Sequence, residues 1–255
     1  MHGRGGLPLK DLLTQFSFSR IHIFSEDKLD HAEMARRLVI VTGYAVAVPN
    51  YRLSSPEMTD ADAIRHPEHA KDVLCFLKFI IAWGGPEGIS VCDTNKLCLI
   101  GHSCGAHILS SIFLEATQGE DSLRPPLELL ENTKAIITSE GLYDIDLLLS
   151  SFPSYRAWFI EAAFGRRSTY KDVSVTKMTP RAEYHHLQWL IVHSKGDTLV
   201  DEAQSEAMFQ HLLHNIPHVT RNFEELKEEH NAILAGEEFT KIVGQYILDK
   251  ISLST

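Results

Sequence analysis

The sequence has few features of a protein that binds nucleic acid or enters a membrane. Its 24 Lys and Arg residues are outnumbered by 34 Asp and Glu, which gives a net charge of -10, and basic residues never run beyond a pair. Nucleic acid and anionic membrane surfaces are therefore poor partners. The apolar stretches 73–83 and 187–192 fall well short of a bilayer span. We expect no transmembrane helix and no membrane partner.

Cysteine is also scarce. The four cysteines neither form a CxxC pair nor lie densely enough for a disulfide framework. The 14 histidines show no spacing that resembles a zinc site. Residues 1–10 contain no apolar run of signal-peptide length. We expect reduced thiols, a cytoplasmic location, and neither a metal nor an organic cofactor.

Short β-prone segments alternate with longer segments of helical periodicity. With 255 residues, 44% of them hydrophobic, we expect a single domain over 1–255. The alternation predicts an α/β fold, with a mostly parallel central sheet and helices on both faces. The predicted strands are 44–48, 96–100, 134–138, 188–192 and 219–226, and the predicted helices are 30–41, 67–83, 106–116, 202–214 and 237–251.

The pattern becomes irregular over 141–181. This segment is rich in aromatic residues: Tyr143, Phe152, Tyr155, Trp158, Phe159 and Phe164. We expect it to be a lid or an insertion that lines a substrate pocket.

A Gly-x-Ser-x-Gly motif is centred on Ser103. The motif alone arises by chance in roughly one chain in ten. Here it lies between a β-prone run and a helical pattern, the arrangement of a nucleophile elbow. We therefore predict Ser103 as a nucleophile and the backbone N–H of Cys104 as an oxyanion donor. The Cys104 thiol and the His102 ring are interpreted as packing or pocket-wall groups.

A serine nucleophile needs a base and a carboxylate that orients this base, in the chain order Ser, acid, His for this arrangement. Asp197 follows the predicted strand 188–192, at the sheet edge where α/β folds place functional groups, and His230 follows the last predicted strand. We predict Asp197 as the acid and His230 as the base. His193 is the alternative base, and Asp72, Asp144 and Asp146 are the alternative acids.

With these residues in place, the chain resembles the fungal kynurenine formamidases, which belong to the α/β-hydrolase superfamily. The matching segments are Val48–Ser54, His66–Val73, the Gly-His-Ser-Cys-Gly elbow, Glu140–Asp144, Val192–Ser194 leading to Asp197, and His230–Asn231. The resemblance implies the same three catalytic residues and hydrolysis of N-formyl-L-kynurenine to L-kynurenine and formate, in tryptophan degradation and NAD biosynthesis. It implies a small formamide or ester as the substrate, and leaves a homodimer open.

The chain departs from the family at its amino terminus. The family carries a strand that ends in His-Gly-Gly-x-Trp, whose N–H groups complete the oxyanion hole, and no such motif is present here. The expected position, 15–23, is β-prone but has no glycine pair. We therefore expect the N-terminal strands to be incomplete and residues 1–25 to be divergent or misassigned. The alternative functions are a small-molecule carboxylesterase and a catalytically silent relative.

Overall fold

A parallel sheet forms the centre of the molecule. The computed structural model describes residues 10–17, 28–54, 63–89, 92–116, 122–181 and 186–252. The strand order in the sheet is β2-β1-β3-β5-β7-β8, and every neighbouring pair is parallel. Its strands are β1 (Lys10–Ser17), β2 (Ala45–Ala47), β3 (Cys92–His102), β5 (Thr133–Ser139), β7 (Gln188–Val192) and β8 (Val219–Asn222). A separate antiparallel pair joins β4 (Leu114–Glu115) to β6 (Thr179–Pro180).

Helices follow most of the strands. They are α1 (Ala32–Thr42), α2 (Glu68–Ala82), α3 (Cys104–Phe113), α4 (Leu127–Asn132), α5 (Ile145–Ser151), α6 (Glu161–Phe164), α7 (Glu202–Leu213), α8 (Ala232–Ala235) and α9 (Glu237–Ser252). A π-helical turn, Arg156–Ile160, precedes α6, and short 3-10 turns cover Lys28–His31, Pro86–Gly88 and Val175–Lys177. No helix of the described residues is long and apolar enough to cross a membrane.

The sheet separates two hydrophobic cores. Because successive side chains of a strand point to opposite faces, Leu97 and Leu99 of β3 join one core, whereas Cys98 and Ile100 join the other. The first core also contains apolar residues of α2, α3, α4 and α7, and the second contains those of α1, α8 and α9. The predicted parallel sheet with helices on both faces is therefore confirmed.

The amino-terminal strand lies inside the sheet. Strand β1 pairs with β2 on one side and with β3 on the other, so that Ser17 stands opposite His102. It begins five residues before the β-prone stretch that we singled out, 15–23, and overlaps it only at 15–17. Residues 18–23 of that stretch and the glycines of residues 1–9 lie outside the described residues. A central strand is thus present where we had expected the sheet to be incomplete.

The predicted boundaries hold to within a few residues for most elements. The strand 188–192 and the start of α7 are as predicted, whereas β3 begins four residues earlier and β8 ends four residues earlier than expected. Helix α4 and the small β4–β6 pair were not predicted. Segment 141–181 contains α5, the π-helical turn and α6, and most of its buried apolar residues form a third cluster.

Candidate active site

Ser103 occupies a strained turn between β3 and α3. Its φ of 54° is one that side-chain-bearing residues rarely adopt, and its N–H donates to the Ser139 carbonyl over 2.8 Å. A Cβ on Gly101 would stand 2.6 Å from the Gly105 carbonyl oxygen, so only glycine fits there. The close approach of strand and helix thus holds Ser103 at the carboxyl end of the sheet, as predicted for an elbow.

Cys104 is the first residue of α3. Its N–H lies at the positive end of the helix dipole, where negative charge is favoured. The side chain of Cys104 lines the same cavity as Ser103 and packs on the third apolar cluster.

Asp197 and His230 come together from two different loops. The Nδ1 atom of His230 lies 2.7 Å from Oδ2 of Asp197. Oδ1 of Asp197 accepts the N–H groups of Leu199 at 2.8 Å and Val200 at 3.0 Å. Because Asp197 is an acceptor, Nδ1 of His230 carries the proton and Nε2 is left to act as a base.

Close contact between the two loops positions this pair. The Lys195 N–H donates to the Leu226 carbonyl over 3.0 Å, and the Ser194 hydroxyl donates to the Glu228 carbonyl over 2.6 Å. Gly196 lies against the backbone at Lys227. The segment that leads to His230 is therefore attached to the segment that carries Asp197.

The pKa of Asp197 lies well below its usual range. Burial opposes ionisation of this carboxyl, but hydrogen bonds from His230 and Glu140, the charge of His230 and the Val200 N–H outweigh that effect. Asp197 is therefore a carboxylate at neutral pH, which is the state that orients an imidazole.

Glu140 is a buried carboxyl group that our sequence interpretation did not assign to the site. It follows β5 directly, has no exposed surface, and adopts a φ of 51°. Its Oε1 accepts the Ser194 N–H over 2.7 Å. Burial, followed by the hydrogen bond and the negative charge of Asp197, raises the pKa of Glu140 to about 11. One signal was present in the sequence: a Glu directly after an apolar strand, where a carboxyl group is costly to bury.

A cavity of about 130 Å³ opens onto these groups. Ser103 and His230 both line it. The aromatic side chains of Tyr155, Phe159 and Phe164 come from segment 141–181, and His66, His69 and His107 form another part of the wall. None of the described lining residues is Asp, Glu, Lys or Arg.

The alternative residues lie elsewhere. Asp72 receives two hydrogen bonds from the Arg52 guanidinium, at 2.7 and 2.8 Å. Asp144 caps α5 through the Leu147 N–H, and Asp146 accepts the Tyr170 N–H. These carboxylates therefore have structural partners.

The two histidines near the pair also have other partners. His193 is 1% exposed, its Nδ1 lies 2.9 Å from the Ser205 hydroxyl, and it is not among the described lining residues. His102 is fully buried, bonds the Ser139 hydroxyl at 2.9 Å and packs on the His230 ring at a centroid distance of 4.7 Å. His102 thus supports His230 from the side.

The structure brings together three of the predicted site residues, Ser103, Cys104 and His230, around the cavity, with Asp197 behind His230. Residues 18–27, which follow β1, lie outside the described residues. Enzymes with this fold place the second oxyanion donor after the corresponding strand.

Sequence comparison assigns the chain to a family. The family model described as BD-FAE matches residues 23–212. The chain belongs to the BD-FAE family. The expected resemblance to kynurenine formamidases is also confirmed. The enzyme of that name from Meyerozyma guilliermondii is 27% identical over 164 residues, and a kynurenine formamidase-like hydrolase from Fusarium equiseti is 28% identical over 159 residues.

These alignments cover 62% and 58% of the BD-FAE chain, but only 55% and 46% of the two relatives. The matched region of this family member thus spans about half the length of the curated proteins.

Solved structures support the same fold. Esterase B from Lactobacillus rhamnosis superposes with a TM-score of 0.71 at 15% identity, over 98% of this chain and 78% of that one. Carboxyl esterase 2 from Tuber melanosporum superposes with a TM-score of 0.67 at 16% identity, over 95% and 79% of the two chains. This BD-FAE chain therefore has the α/β-hydrolase fold.

Proposed function

We propose that the chain is a serine hydrolase in which Ser103, His230 and Asp197 form the catalytic triad, and that it hydrolyses N-formyl-L-kynurenine to L-kynurenine and formate. One observation carries the proposal. His230 is held by Asp197 at 2.7 Å and lines the same cavity as Ser103, which stands on an elbow at the start of α3.

The reaction proceeds in two steps. Nε2 of His230 takes the proton of the Ser103 hydroxyl as the oxygen attacks the formyl carbon. The Asp197 carboxylate accepts the Nδ1–H of His230 and stabilises the imidazolium that forms. His230 then gives its proton to the leaving aniline nitrogen. Water, activated by the same imidazole, hydrolyses the formyl ester on Ser103 and releases formate.

Negative charge develops on the formyl oxygen in both steps. The Cys104 N–H and the amino-terminal end of α3 stabilise this charge. A second donor in related enzymes comes from the loop after the strand that corresponds to β1.

The cavity wall favours an aromatic substrate. Tyr155, Phe159 and Phe164 supply ring surfaces next to the nucleophile, and such surfaces bind a planar ring by stacking or edge contacts. The similarity to kynurenine formamidases supports a formamide on an aromatic ring as the substrate. Localisation in the cytoplasm and assembly as a homodimer also belong to the proposal.

A second candidate function is hydrolysis of small uncharged acyl esters. The absence of Asp, Glu, Lys and Arg from the described cavity wall favours it, because the amino and carboxylate groups of a kynurenine gain no ion pair there. The same three residues would perform this reaction.

Turnover separates the two functions. We expect kcat/KM for N-formyl-L-kynurenine to exceed that for p-nitrophenyl acetate, with Ser103→Ala as the blank for both. The reverse order would identify a carboxylesterase. Absence of turnover together with no labelling of Ser103 by a fluorophosphonate probe would identify a silent relative.

A further inference from the structure

Two buried carboxyl groups, Glu140 and Asp197, lie side by side behind His230. The Asp197 side chain has no exposed surface, and neither has that of Glu140. One carboxylate oxygen of Glu140, one of Asp197 and one ring nitrogen of His193 lie within 4.8 Å of one another. Two like charges at this distance in a dry site oppose each other strongly, so one of the two carboxyls must hold a proton.

The hydrogen bonds identify which carboxyl holds it. Asp197 already accepts three hydrogen bonds, from Leu199, Val200 and His230. Three donated hydrogen bonds stabilise the ionised form of this carboxyl. Glu140 accepts a single backbone hydrogen bond at Oε1, and its buried Oε2 has no partner of ordinary hydrogen-bond geometry. A proton on Oε2 turns this oxygen into a donor, and Asp197 has one acceptor position left for it.

His193 does not provide the missing positive charge. Its Nδ1 lies 3.0 Å from Oε2 of Glu140, but it also lies 2.9 Å from the Ser205 hydroxyl. Burial lowers the pKa of His193, in spite of the negative charges of Asp197, Glu202 and Asp201. A neutral imidazole at this place leaves Glu140 without a cation to pair with.

We propose that Glu140 is a positioning residue that stays protonated and donates its O–H to the Asp197 carboxylate, so that the two carboxyls share one negative charge. The inference rests on the proposed triad. Glu140 touches neither the substrate nor the reacting atoms. It fixes the orientation of Asp197. By donating a hydrogen bond, it also makes the Asp197 carboxylate a weaker acceptor for the Nδ1–H of His230.

The titratable groups that face Glu140 are Asp197, His193 directly after β7, and the Tyr143 hydroxyl, whose pKa is raised mainly by its burial. Asp197 in turn contacts His230. A change in the charge at Glu140 therefore reaches the proposed base through Asp197 and should appear in the acid limb of the activity profile.

The first experiment measures kcat/KM against pH for the wild type, Glu140→Gln and Glu140→Leu. The amide of Glu140→Gln still donates and carries no charge, so we expect its acid limb to coincide with that of the wild type. Glu140→Leu loses the donor. We expect at least about a tenfold fall in kcat/KM at pH 7 and an acid limb displaced to higher pH, since a hydrogen bond to a charged group is lost. Glu206→Gln removes an exposed carboxylate elsewhere and is the control.

Two outcomes of that experiment overturn the proposal. An acid limb that moves to lower pH in Glu140→Gln would show that the wild type carries a negative charge at residue 140. A fall in activity of Glu140→Leu without any displacement of the limb would show a merely structural role. Loss of wild-type activity in EDTA, restored by a divalent metal, would show instead that the cluster binds a cation.

The second experiment measures the melting temperatures of the wild type and Glu140→Gln against pH, and it depends neither on the substrate nor on activity. If N-formyl-L-kynurenine is not hydrolysed, the rate of fluorophosphonate labelling of Ser103 replaces kcat/KM in the first experiment. If Ser103 is not labelled either, the comparison of melting temperatures still tests the proposal. Below the ordinary pKa of a Glu, 4.5, the folded and unfolded states both hold the proton, and above it only the folded state does. The wild type must therefore lose stability relative to Glu140→Gln as the pH rises from 5 to 9. A constant difference in melting temperature over this range would show that Glu140 is ionised in the folded protein.

Discussion

The carbonyl group of Lys227 lies so close to Gly196 that a Cβ built on Gly196 would stand 2.0 Å from its oxygen. The contact joins the loop of Asp197 to the loop of His230. Hydrogen bonds from Ser194 and Lys195 hold the two backbones together at the same place. The geometry of the acid–base pair thus depends on a position that has no side chain.

We expect Gly196→Ala to separate the two loops, because overpacking of this kind costs about 1–3 kcal/mol of stability. Activity should fall further than the stability does, since a small displacement of His230 from Asp197 impairs proton transfer. Gly84→Ala is the matched control, because a Cβ there meets no atom within 4 Å. Chemical denaturation and kcat/KM should be measured on both variants. Equal free energies of unfolding and equal kcat/KM in the two variants would show that the loops can shift to accommodate the added methyl group.

For Ser103→Ala we expect an unchanged fold and the loss of nearly all hydrolysis, because the hydroxyl serves the reaction and contributes little packing. Ser111→Ala, on the same helix with its hydroxyl bonded to the His107 carbonyl, should keep its activity. Circular dichroism and turnover are the measurements. More than about a tenth of wild-type turnover in Ser103→Ala would refute the assignment, since loss of a nucleophile in such a triad costs several orders of magnitude.

His230→Ala and Asp197→Asn should lose activity unequally. Without the base no proton is transferred, whereas without the acid a misoriented imidazole is still present. We expect a fall of about 10⁴-fold or more for His230→Ala and a smaller one for Asp197→Asn. His193→Ala is the comparison for a nearby imidazole outside the cavity wall. Normal turnover in His230→Ala with loss in His193→Ala would reverse the assignment of the base.

The pocket histidines predict an acid limit of stability. Burial lowers the pKa of His107, as it does that of His69, from 6.5 to about 4. The unfolded chain therefore takes up protons below pH 6.5 that the folded state excludes, and stability falls as the pH drops from 6.5 to about 4. His107 alone accounts for about 3 kcal/mol of this loss, at about 1.4 kcal/mol per pKa unit. The free energy of unfolding of His107→Gln should depend less steeply on pH, whereas exposed His218→Gln should follow the wild type. Parallel curves for all three would contradict the burial of an uncharged ring.

The segment 18–27, which follows β1 in the sequence, offers a gain-of-function test. Replacement of residues 18–27 by a loop with His-Gly-Gly-x-Trp should raise formamidase turnover at least about tenfold, since one oxyanion donor contributes 10² to 10³ in related sites. The control loop has the same length and carries Ala-Ala in place of Gly-Gly. If both loops give wild-type turnover, residues 18–27 already provide a donor.

The sheet and its flanking helices could be predicted because the spacing of apolar residues agreed, for most segments, with the glycine and proline residues that mark the ends of helices and strands. Four of the five residues of strand 188–192 are apolar and buried, and Gly84 and Gly85 follow a strongly periodic helix just before Pro86. Strand β1 was not predicted as such, and the β-prone stretch 15–23 overlaps it only at residues 15–17. The reason is that pairing with β3 sets the extent of the strand, and β propensity alone does not show which residues will pair.

The elbow at Ser103 and the positions of Asp197 and His230 could be predicted, because each follows a predicted strand and the three occur in the order serine, acid, histidine. Glu140 did not, because its importance depends on the meeting of two strand ends that are distant in sequence. Nothing in the residues around Glu140 shows that Asp197 will lie beside it, and a lone Glu after a strand more often faces solvent. For the cavity wall, the sequence predicted only that the aromatic-rich segment 141–181 would contribute to it.

The backbone ladder of the sheet continues past the strand ends into the residues of the site. The Ser103 N–H donates to Ser139, that of Glu140 donates to Val192, and that of His193 donates to Asn222. These amides should exchange with solvent deuterium only when the whole sheet opens, so their protection should equal the global stability of the protein. We therefore expect the geometry of the proposed triad and the resistance to unfolding to be coupled, so that a substitution that weakens β5 or β7 reduces both at once.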